Sequence, residues 1–121
     1  RNMTQNEMIG TYVIEGSNQD ASKSSYKGTL QLSLDHHQRI LAQWTIAEDQ
    51  TQQGIGFFKN NILVINFQYH NEVNQLFKGT VVYNCLTPEL LEGFWSEEKG
   101  DPQFLGTEMA YRVSNENTVL H

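Results

Sequence analysis

The chain has 121 residues, of which 38% are hydrophobic and 18% are charged, and its formal net charge is −6. These values predict one globular domain, residues 1–121, rather than a disordered chain. Because 8 basic residues are scattered among 14 acidic ones, we expect no nucleic-acid partner. No segment approaches the roughly 20 apolar residues of a transmembrane helix, so no membrane span is predicted. We expect a soluble, cytoplasmic protein, with a periplasmic or secreted location as the alternative if a leader has been removed.

The predicted elements are all strands, because apolar and polar residues alternate in short segments and no segment has helical spacing. Residues 25–34 are the clearest case, since Tyr26, Leu30 and Leu32 alternate with polar side chains. Polar turn sequences separate the segments and favour antiparallel hairpins. In chain order, the predicted strands are 8–16, 25–34, 39–47, 52–59, 62–69, 76–84, 90–97 and 104–113.

The sequence also repeats itself with an offset of 51 residues, which relates Trp44 to Trp95 and residues 26–29 to residues 77–80. Two four-stranded halves, about 8–59 and 60–113, would be followed by a tail, 114–121. Eight antiparallel strands joined by short turns can close edge to edge, so we predict an all-β, eight-stranded, antiparallel up-and-down barrel. The long links 17–24 and 70–75 occupy equivalent places in the repeat, and we expect them at the same end of the barrel.

A set of short motifs carries a family resemblance over about residues 8–112. The chain resembles a family of small, mostly uncharacterised bacterial β proteins with G-T-Y, Y-x-G-T, W-x-I, G-x-W and G-T-E signatures. Its architecture is similar to avidin-like and lipocalin-like (calycin) barrels, a resemblance that implies a closed barrel. The motifs are Gly10-Thr11-Tyr12, Tyr26-x-Gly28-Thr29, Trp44-x-Ile46, Leu91-x-Gly93-x-Trp95 and Gly106-Thr107-Glu108.

Strand parity identifies the side chains that should face the barrel interior and therefore any ligand. An eight-stranded barrel is wide enough either to be filled by side chains or to hold one small ligand. Inward glycines, Gly28, Gly79 and Gly93, should leave space beside the large aromatic residues. The candidate ligand-binding residues are Tyr12, Tyr26, Trp44, Phe67, Phe77, Tyr83, Trp95 and Glu108.

The orientation of Glu108 has two interpretations. Hydrophobic parity places Leu105, Met109 and Tyr111 inward, which turns Glu108 and Arg112 outward as ordinary surface residues. If the glycine-bearing face is inward instead, Glu108 lies inside the barrel. A buried carboxylate would then need Arg112, tyrosine hydroxyls or a ligand as its partner, and its perturbed ionisation would mark a functional site.

The sequence contains no diagnostic enzyme or metal motif, and we predict no cofactor and no metal. The single Cys85 is interpreted as a structural thiol, because no histidine is placed beside it by sequence spacing. His36 and His37 fall in a predicted turn, where adjacent side chains point in different directions. Glu97, Glu98 and Asp101 lack the ordered spacing of a calcium loop and are interpreted as a solvated hairpin.

These observations favour a noncatalytic barrel that holds a small, partly apolar or aromatic ligand in its interior. The alternative is a filled barrel that serves as an interaction or structural module, and a third reading is a cofactor-free enzyme that uses Glu108. A cavity of a few hundred cubic ångströms with tyrosine hydroxyls inside would separate the first two readings. Outward Phe57, Leu90 and Phe94 would rationalise a homo-oligomer.

Overall fold

The computed structural model describes residues 1–47 and 49–113 and consists of a short 3₁₀ helix and eight strands. The predicted tail, 114–121, lies outside the described residues. The helix is Gln5–Met8. The strands are β1 Gly10–Ser17, β2 Ser25–Leu34, β3 Ile40–Ile46, β4 Gln50–Lys59, β5 Ile62–His70, β6 Leu76–Thr87, β7 Leu90–Glu97 and β8 Gly106–Arg112.

All eight strands form one closed sheet in chain order, because β1 pairs with both β2 and β8. Every pairing is antiparallel, which confirms the predicted eight-stranded up-and-down barrel. The pairing of Gly28 with Ile46 in β2–β3 has its counterpart, 51 residues later, in that of Gly79 with Glu97 in β6–β7. The division of the domain into two repeat halves stays a prediction.

Alternation along each strand places one face in the core and one in solvent. In β5, for example, Leu63 and Ile65 are fully buried, whereas the intervening Val64 is only partly buried. The antiparallel topology brings the β1–β2, β3–β4, β5–β6 and β7–β8 connections to one end, which we call the open end. The links 17–24 and 70–75 therefore lie at the same end, as predicted.

The opposite, closed end is covered by the segment before β1. The prediction of strand from residue 8 missed the helix Gln5–Met8, which a capping box starts: the Glu7 amide donates to Thr4 Oγ1 (3.3 Å) and the Thr4 amide donates to Glu7 Oε1 (2.8 Å). This Thr-x-x-Glu spacing is visible in the sequence. The helix delivers the fully buried Met8 to the core, and Met3 is also buried.

Arg112 locks the helical segment onto the barrel. Its guanidinium donates hydrogen bonds to the carbonyl oxygens of Glu7 (2.5 Å), Ile9 (2.8 Å) and Pro88 (2.8 Å). It also donates to the Tyr12 hydroxyl (2.8 Å) and lies 4.9 Å from the centroid of that ring. The interpretation of Arg112 as an outward surface residue is therefore wrong, because its guanidinium donates the hydrogen bonds that backbone carbonyls at the closed end accept.

An apolar row crosses the outer face of four neighbouring strands. Cross-strand pairing joins Phe57 to Val64, Val64 to Val82 and Val82 to Phe94. Phe57 is 61% exposed and Phe94 is 50% exposed, in keeping with their predicted outward positions, while Leu90 is only partly exposed. The described residues contain no helix long and apolar enough to span a membrane.

Candidate ligand cavity

A cavity of about 230 Å³ occupies the open end of the barrel interior. Its deeper wall includes Trp44, Phe67 and Tyr83, which are buried, and its rim includes the exposed Gln50. The interior is thus not completely filled by side chains. This volume is below the 300–1,000 Å³ typical of sites for drug-sized ligands, so the cavity suits a smaller molecule.

One row of cross-strand neighbours builds the polar centre of this cavity. Pairing links Tyr83 to Gly93, Gly93 to Glu108, Glu108 to Gly16 and Gly16 to Tyr26, across β6, β7, β8, β1 and β2. We call these five residues the Tyr-Gly-Glu-Gly-Tyr row. The backbone of each tyrosine lies two strand spacings, about 10 Å, from β8, the strand that carries Glu108. Both rings reach Glu108 by lying over the intervening glycine.

The two glycines are required by this close approach. A Cβ atom on Gly93 would lie 2.7 Å from Cδ1 of Tyr83, and one on Gly16 would lie 2.3 Å from Cζ of Tyr26 and 2.3 Å from the Thr107 carbonyl oxygen. Glycine supplies the missing volume in the strand. The sequence prediction that Gly93 leaves open space beside Trp95 is wrong, since the Tyr83 ring fills that space.

Glu108 is 4% exposed and accepts three hydrogen bonds from neutral donors. The Tyr26 hydroxyl donates to Oε1 at 2.8 Å, while Trp44 Nε1 (3.2 Å) and the Tyr83 hydroxyl donate to Oε2. The interpretation of Glu108 as an outward residue is wrong, and the glycine-face interpretation describes the structure. Its partners are tyrosine hydroxyls and an indole rather than Arg112, which binds at the closed end.

Burial raises the pKa of Glu108 above its ordinary value, while the hydrogen bonds from Tyr83, Tyr26 and Trp44 partly oppose that shift. Burial and the nearby Glu108 carboxylate also raise the pKa values of Tyr26 and Tyr83, so both phenols stay protonated at neutral pH. The arrangement therefore couples one titratable carboxyl group to two permanent hydrogen-bond donors.

Aromatic rings continue the wall around this polar centre. Trp95 Nε1 donates to the Tyr26 hydroxyl (2.9 Å), which orients that hydroxyl toward Glu108. The Phe67 ring meets Trp44 edge-on at 6.0 Å between centroids and Trp95 at 6.2 Å. A Cβ atom on Gly79 would lie 2.3 Å from Cζ of Phe67, so that ring fills the space predicted to be open at this glycine as well.

A second carboxylate lies at the rim. The Tyr69 hydroxyl donates to Glu97 Oε2 (2.5 Å), and the Tyr69 ring stacks on Phe77 with centroids 5.3 Å apart. Burial raises the pKa of Tyr69, and the hydrogen bond to Glu97 raises it further. Gln19, from the β1–β2 loop, accepts from the Glu97 amide (2.9 Å), so the long loop holds this part of the rim in place.

Six of the eight predicted ligand-binding residues line the cavity: Tyr26, Trp44, Phe67, Tyr83, Trp95 and Glu108. Tyr12 and Phe77 face the barrel interior but do not line the cavity. Tyr12 binds Arg112 at the closed end, and Phe77 packs against Tyr69. Tyr69 and Glu97 at the rim continue the inward alternation of Phe67 in β5 and Trp95 in β7, so strand parity could have found them. The lining residues not predicted as ligand-binding are Asn18, Ile46, Gln50, Gln52, Tyr69, Val81 and Glu97.

Cys85, His36 and His37, which were considered for nucleophilic or metal chemistry, do not line the cavity. Cys85 is a free, buried thiol whose pKa is raised by burial to about 11, which describes an unreactive group. His36 and His37 are exposed in the turn between β2 and β3. Within residues 1–47 and 49–113, no group of three or more His, Cys, Asp or Glu side chains could hold a metal ion.

Fold and cavity together define a closed eight-stranded barrel with a small aromatic and acidic pocket. The sequence matches no protein-family model and no curated protein. A solved structure of a redesigned beta barrel, b11L5F_LGL, superposes with a TM-score of 0.71 at 15% identity, over 94% of this chain and 100% of that one. The structure of EF1p2_mFAP2b bound to DFHBI superposes with a TM-score of 0.65 at 15% identity, over 89% and 95% of the two chains. At this identity, the similarity shows the fold alone.

Proposed function

We propose that this protein is a noncatalytic binder that holds one small, partly apolar molecule in the open-end cavity. The observation that carries the proposal is the combination of space with fixed polar groups. A cavity of about 230 Å³ remains beside Trp44 and Trp95, and the Tyr-Gly-Glu-Gly-Tyr row fixes hydroxyl and carboxyl groups at its wall. Apolar walls with a few convergent polar groups are typical of small-molecule sites.

The comparison with other barrels supports this proposal at the level of architecture. EF1p2_mFAP2b, a barrel of the same fold, was solved bound to DFHBI. A closed eight-stranded barrel can therefore carry a small molecule, and this chain has retained interior volume for one. Membership of the bacterial family with G-T-Y and G-x-W signatures, calycin or avidin kinship, and a soluble cytoplasmic location stay predictions.

A second candidate function, an interaction module, is favoured by the outer row Phe57, Val64, Val82 and Phe94. An exposed apolar row that crosses neighbouring strands is typical of contact surfaces. The predicted homo-oligomer would use this row. Light scattering after size exclusion tests the candidate: Phe57→Ser with Phe94→Ser should convert a dimer to a monomer, and a monomeric parent at high concentration would contradict the oligomer.

Ligand binding is tested by native mass spectrometry of the purified protein before and after mild denaturation. We expect an additional mass that is lost when the barrel unfolds. The chain contains two tryptophans and both line the cavity, so intrinsic fluorescence reports directly on this site. Saturable quenching by a panel of small aromatic compounds should accompany the additional mass.

A cavity-filling variant supplies the control. Ile46→Phe adds volume at the cavity wall, whereas Gln43→Phe adds the same ring to the outer face of β3, where residue 43 is exposed. Ile46→Phe should abolish both the additional mass and the quenching, and Gln43→Phe should preserve them. A clean mass with no fluorescence response across the panel contradicts the proposal.

A further inference from the structure

The charges that line the cavity are all of one sign. The described lining residues include two carboxylates, Glu97 at the rim and Glu108 at the deeper wall, and no lysine, arginine or histidine. The whole chain has a formal net charge of −6, so its long-range field favours a cationic over an anionic ligand. An anionic ligand would therefore be repelled, and a cationic one attracted.

Among the described residues, the side chains that donate to Glu108 are all neutral. Its oxygens accept hydrogen bonds from Tyr26, Tyr83 and Trp44. Arg112, on the same inward face of β8, donates instead to backbone carbonyls at the closed end. A buried carboxylate without a counter-ion is unfavourable. Because Glu108 is among the residues that line the cavity, a cation held there would supply the missing charge.

The walls of the cavity add a second attraction for a cation. Trp44, Trp95 and Phe67 surround the same space, with the Phe67 ring meeting each indole edge-on, and tyrosine rings complete the lining. The electron-rich faces of aromatic rings attract organic ammonium groups, most strongly when indoles are present. Aromatic walls with an acidic residue are the chemistry by which proteins recognise ammonium compounds.

We infer that the ligand of this cavity is a small organic cation, an aromatic or alkyl ammonium compound whose charged group approaches Glu108 and whose apolar part packs against Trp44 and Trp95. The inference rests on the proposed function, since it names the chemical class of the molecule that the cavity holds. No covalent step is involved. The ammonium group is held by its charge and by cation–π contact.

The test compares three soluble probes of nearly equal shape: benzylammonium, benzyl alcohol and benzoate. Each is titrated into the protein at neutral pH, with tryptophan fluorescence and isothermal titration calorimetry as readouts. We expect benzylammonium to bind at least about tenfold more tightly than benzyl alcohol, and benzoate to bind most weakly. The advantage of the cation should shrink in high salt.

Two variants locate the effect. Glu108→Gln keeps the shape and removes the charge, and it should lower benzylammonium affinity about tenfold while changing benzyl alcohol affinity less than threefold. Glu97→Gln at the rim should lower benzylammonium affinity only two- to threefold, since a partly exposed charge is screened by solvent. The ranking of probes on the unmodified protein stands by itself if Glu108→Gln does not fold.

The outcomes distinguish a failure of the cation preference from a failure of the proposed ligand binding. Binding of benzyl alcohol or benzoate as tightly as benzylammonium overturns the cation preference and leaves a ligand-binding barrel. Tight benzylammonium binding that survives unchanged in a folded Glu108→Gln variant overturns the role of that carboxylate. Binding of none of the three probes, together with a clean native mass, overturns both proposals.

Discussion

The two ends of β8 carry opposite charges on the same inward face and use them differently. Glu108 and Arg112 lie four residues, or about 13 Å, apart along the strand. At the closed end, the Arg112 donors bind three backbone carbonyls and one hydroxyl. At the open end, Glu108 is held by hydroxyl and indole donors beside a cavity of about 230 Å³.

The bonding of the partly buried Arg112 is completed by the chain itself, whereas Glu108 borders unfilled space, and this contrast is why the proposed binding site is placed at Glu108. The helix Gln5–Met8 brings Met8 and the carbonyl acceptors to Arg112, so the closed end is filled. At the open end, the long loops stop at the rim. Variants at each end should therefore separate folding from binding.

Removal of Arg112 is the change with the largest expected effect. Arg112→Met should lower the free energy of unfolding by about 3 kcal/mol or more, because three part-buried carbonyls and the Tyr12 hydroxyl lose their donor. Urea denaturation measures this loss. Arg39→Met is the control, since the Arg39 side chain is exposed and its ion pair with Asp35 should contribute less than about 1 kcal/mol. Equal, small losses of unfolding free energy in both variants would contradict the stabilising role of Arg112 at the closed end.

Gly93→Ala should disturb the open end by displacing Tyr83 from Glu108. The added Cβ atom would lie 2.7 Å from the Tyr83 ring, so we expect a loss of about 1 to 3 kcal/mol in unfolding free energy and loss of probe binding. Glu92→Ala, at the neighbouring exposed position, should change neither property. Normal binding by folded Gly93→Ala would argue against the Tyr-Gly-Glu-Gly-Tyr row as the centre of the site.

The stability of the apo protein should depend on pH through Glu108. Burial raises the pKa of this carboxyl group in the folded state, so the folded protein retains its proton more tightly than the unfolded chain does. The resulting stabilisation is fully present below the ordinary carboxyl pKa and is lost as pH rises through the folded value. Each unit by which the pKa is raised corresponds to about 1.4 kcal/mol.

Parallel denaturation series on the parent and Glu108→Gln measure this contribution. The difference in unfolding free energy between them should favour the parent most at low pH and decline toward neutral pH. Surface groups such as Glu7 and Asp35, whose pKa values are lowered to about 2, titrate in both proteins and cancel in the difference. A difference that is independent of pH would mean that Glu108 keeps its ordinary pKa.

The smallest expected effect concerns the rim of the same cavity. Tyr69→Phe removes the hydroxyl that binds Glu97 but keeps the ring stacked on Phe77, so stability should fall by less than about 1 kcal/mol. Tyr83→Phe, which takes a donor from the buried Glu108, should cost about 1 to 3 kcal/mol. The two variants are compared by thermal and urea denaturation. A reversed order would contradict the division into rim and deeper wall.

The sequence was sufficient for the architecture because period-two alternation and turn residues are local signals. Residues 25–34 and 62–69 alternate clearly, and the predicted strands match the observed ones to within a few residues. The 3₁₀ helix was missed, although Thr4 and Glu7 have the spacing of a capping box. Four residues are too few for helical periodicity to be visible.

Glu108 shows why parity failed in part of the site. Tyr111 of β8 and Leu105, which precedes the strand, are exposed, whereas the inward positions include Gly106 and Ala110. Small residues are needed there because rings from neighbouring strands fill the interior: a Cβ atom on Gly106 would lie 2.0 Å from Cε2 of Trp95. That volume depends on the register between strands, which a single strand does not reveal.

Nuclear magnetic resonance of the ¹³C-labelled Glu108 carboxyl group, titrated with pH in the presence and absence of benzylammonium, tests whether this carboxylate is buried, uncompensated and part of the binding site. We expect a pKa above the ordinary carboxyl range in the free protein and a lower pKa once the cation occupies the cavity. An ordinary pKa that is unchanged by saturating benzylammonium would contradict both the buried, uncompensated carboxylate and its place in the binding site.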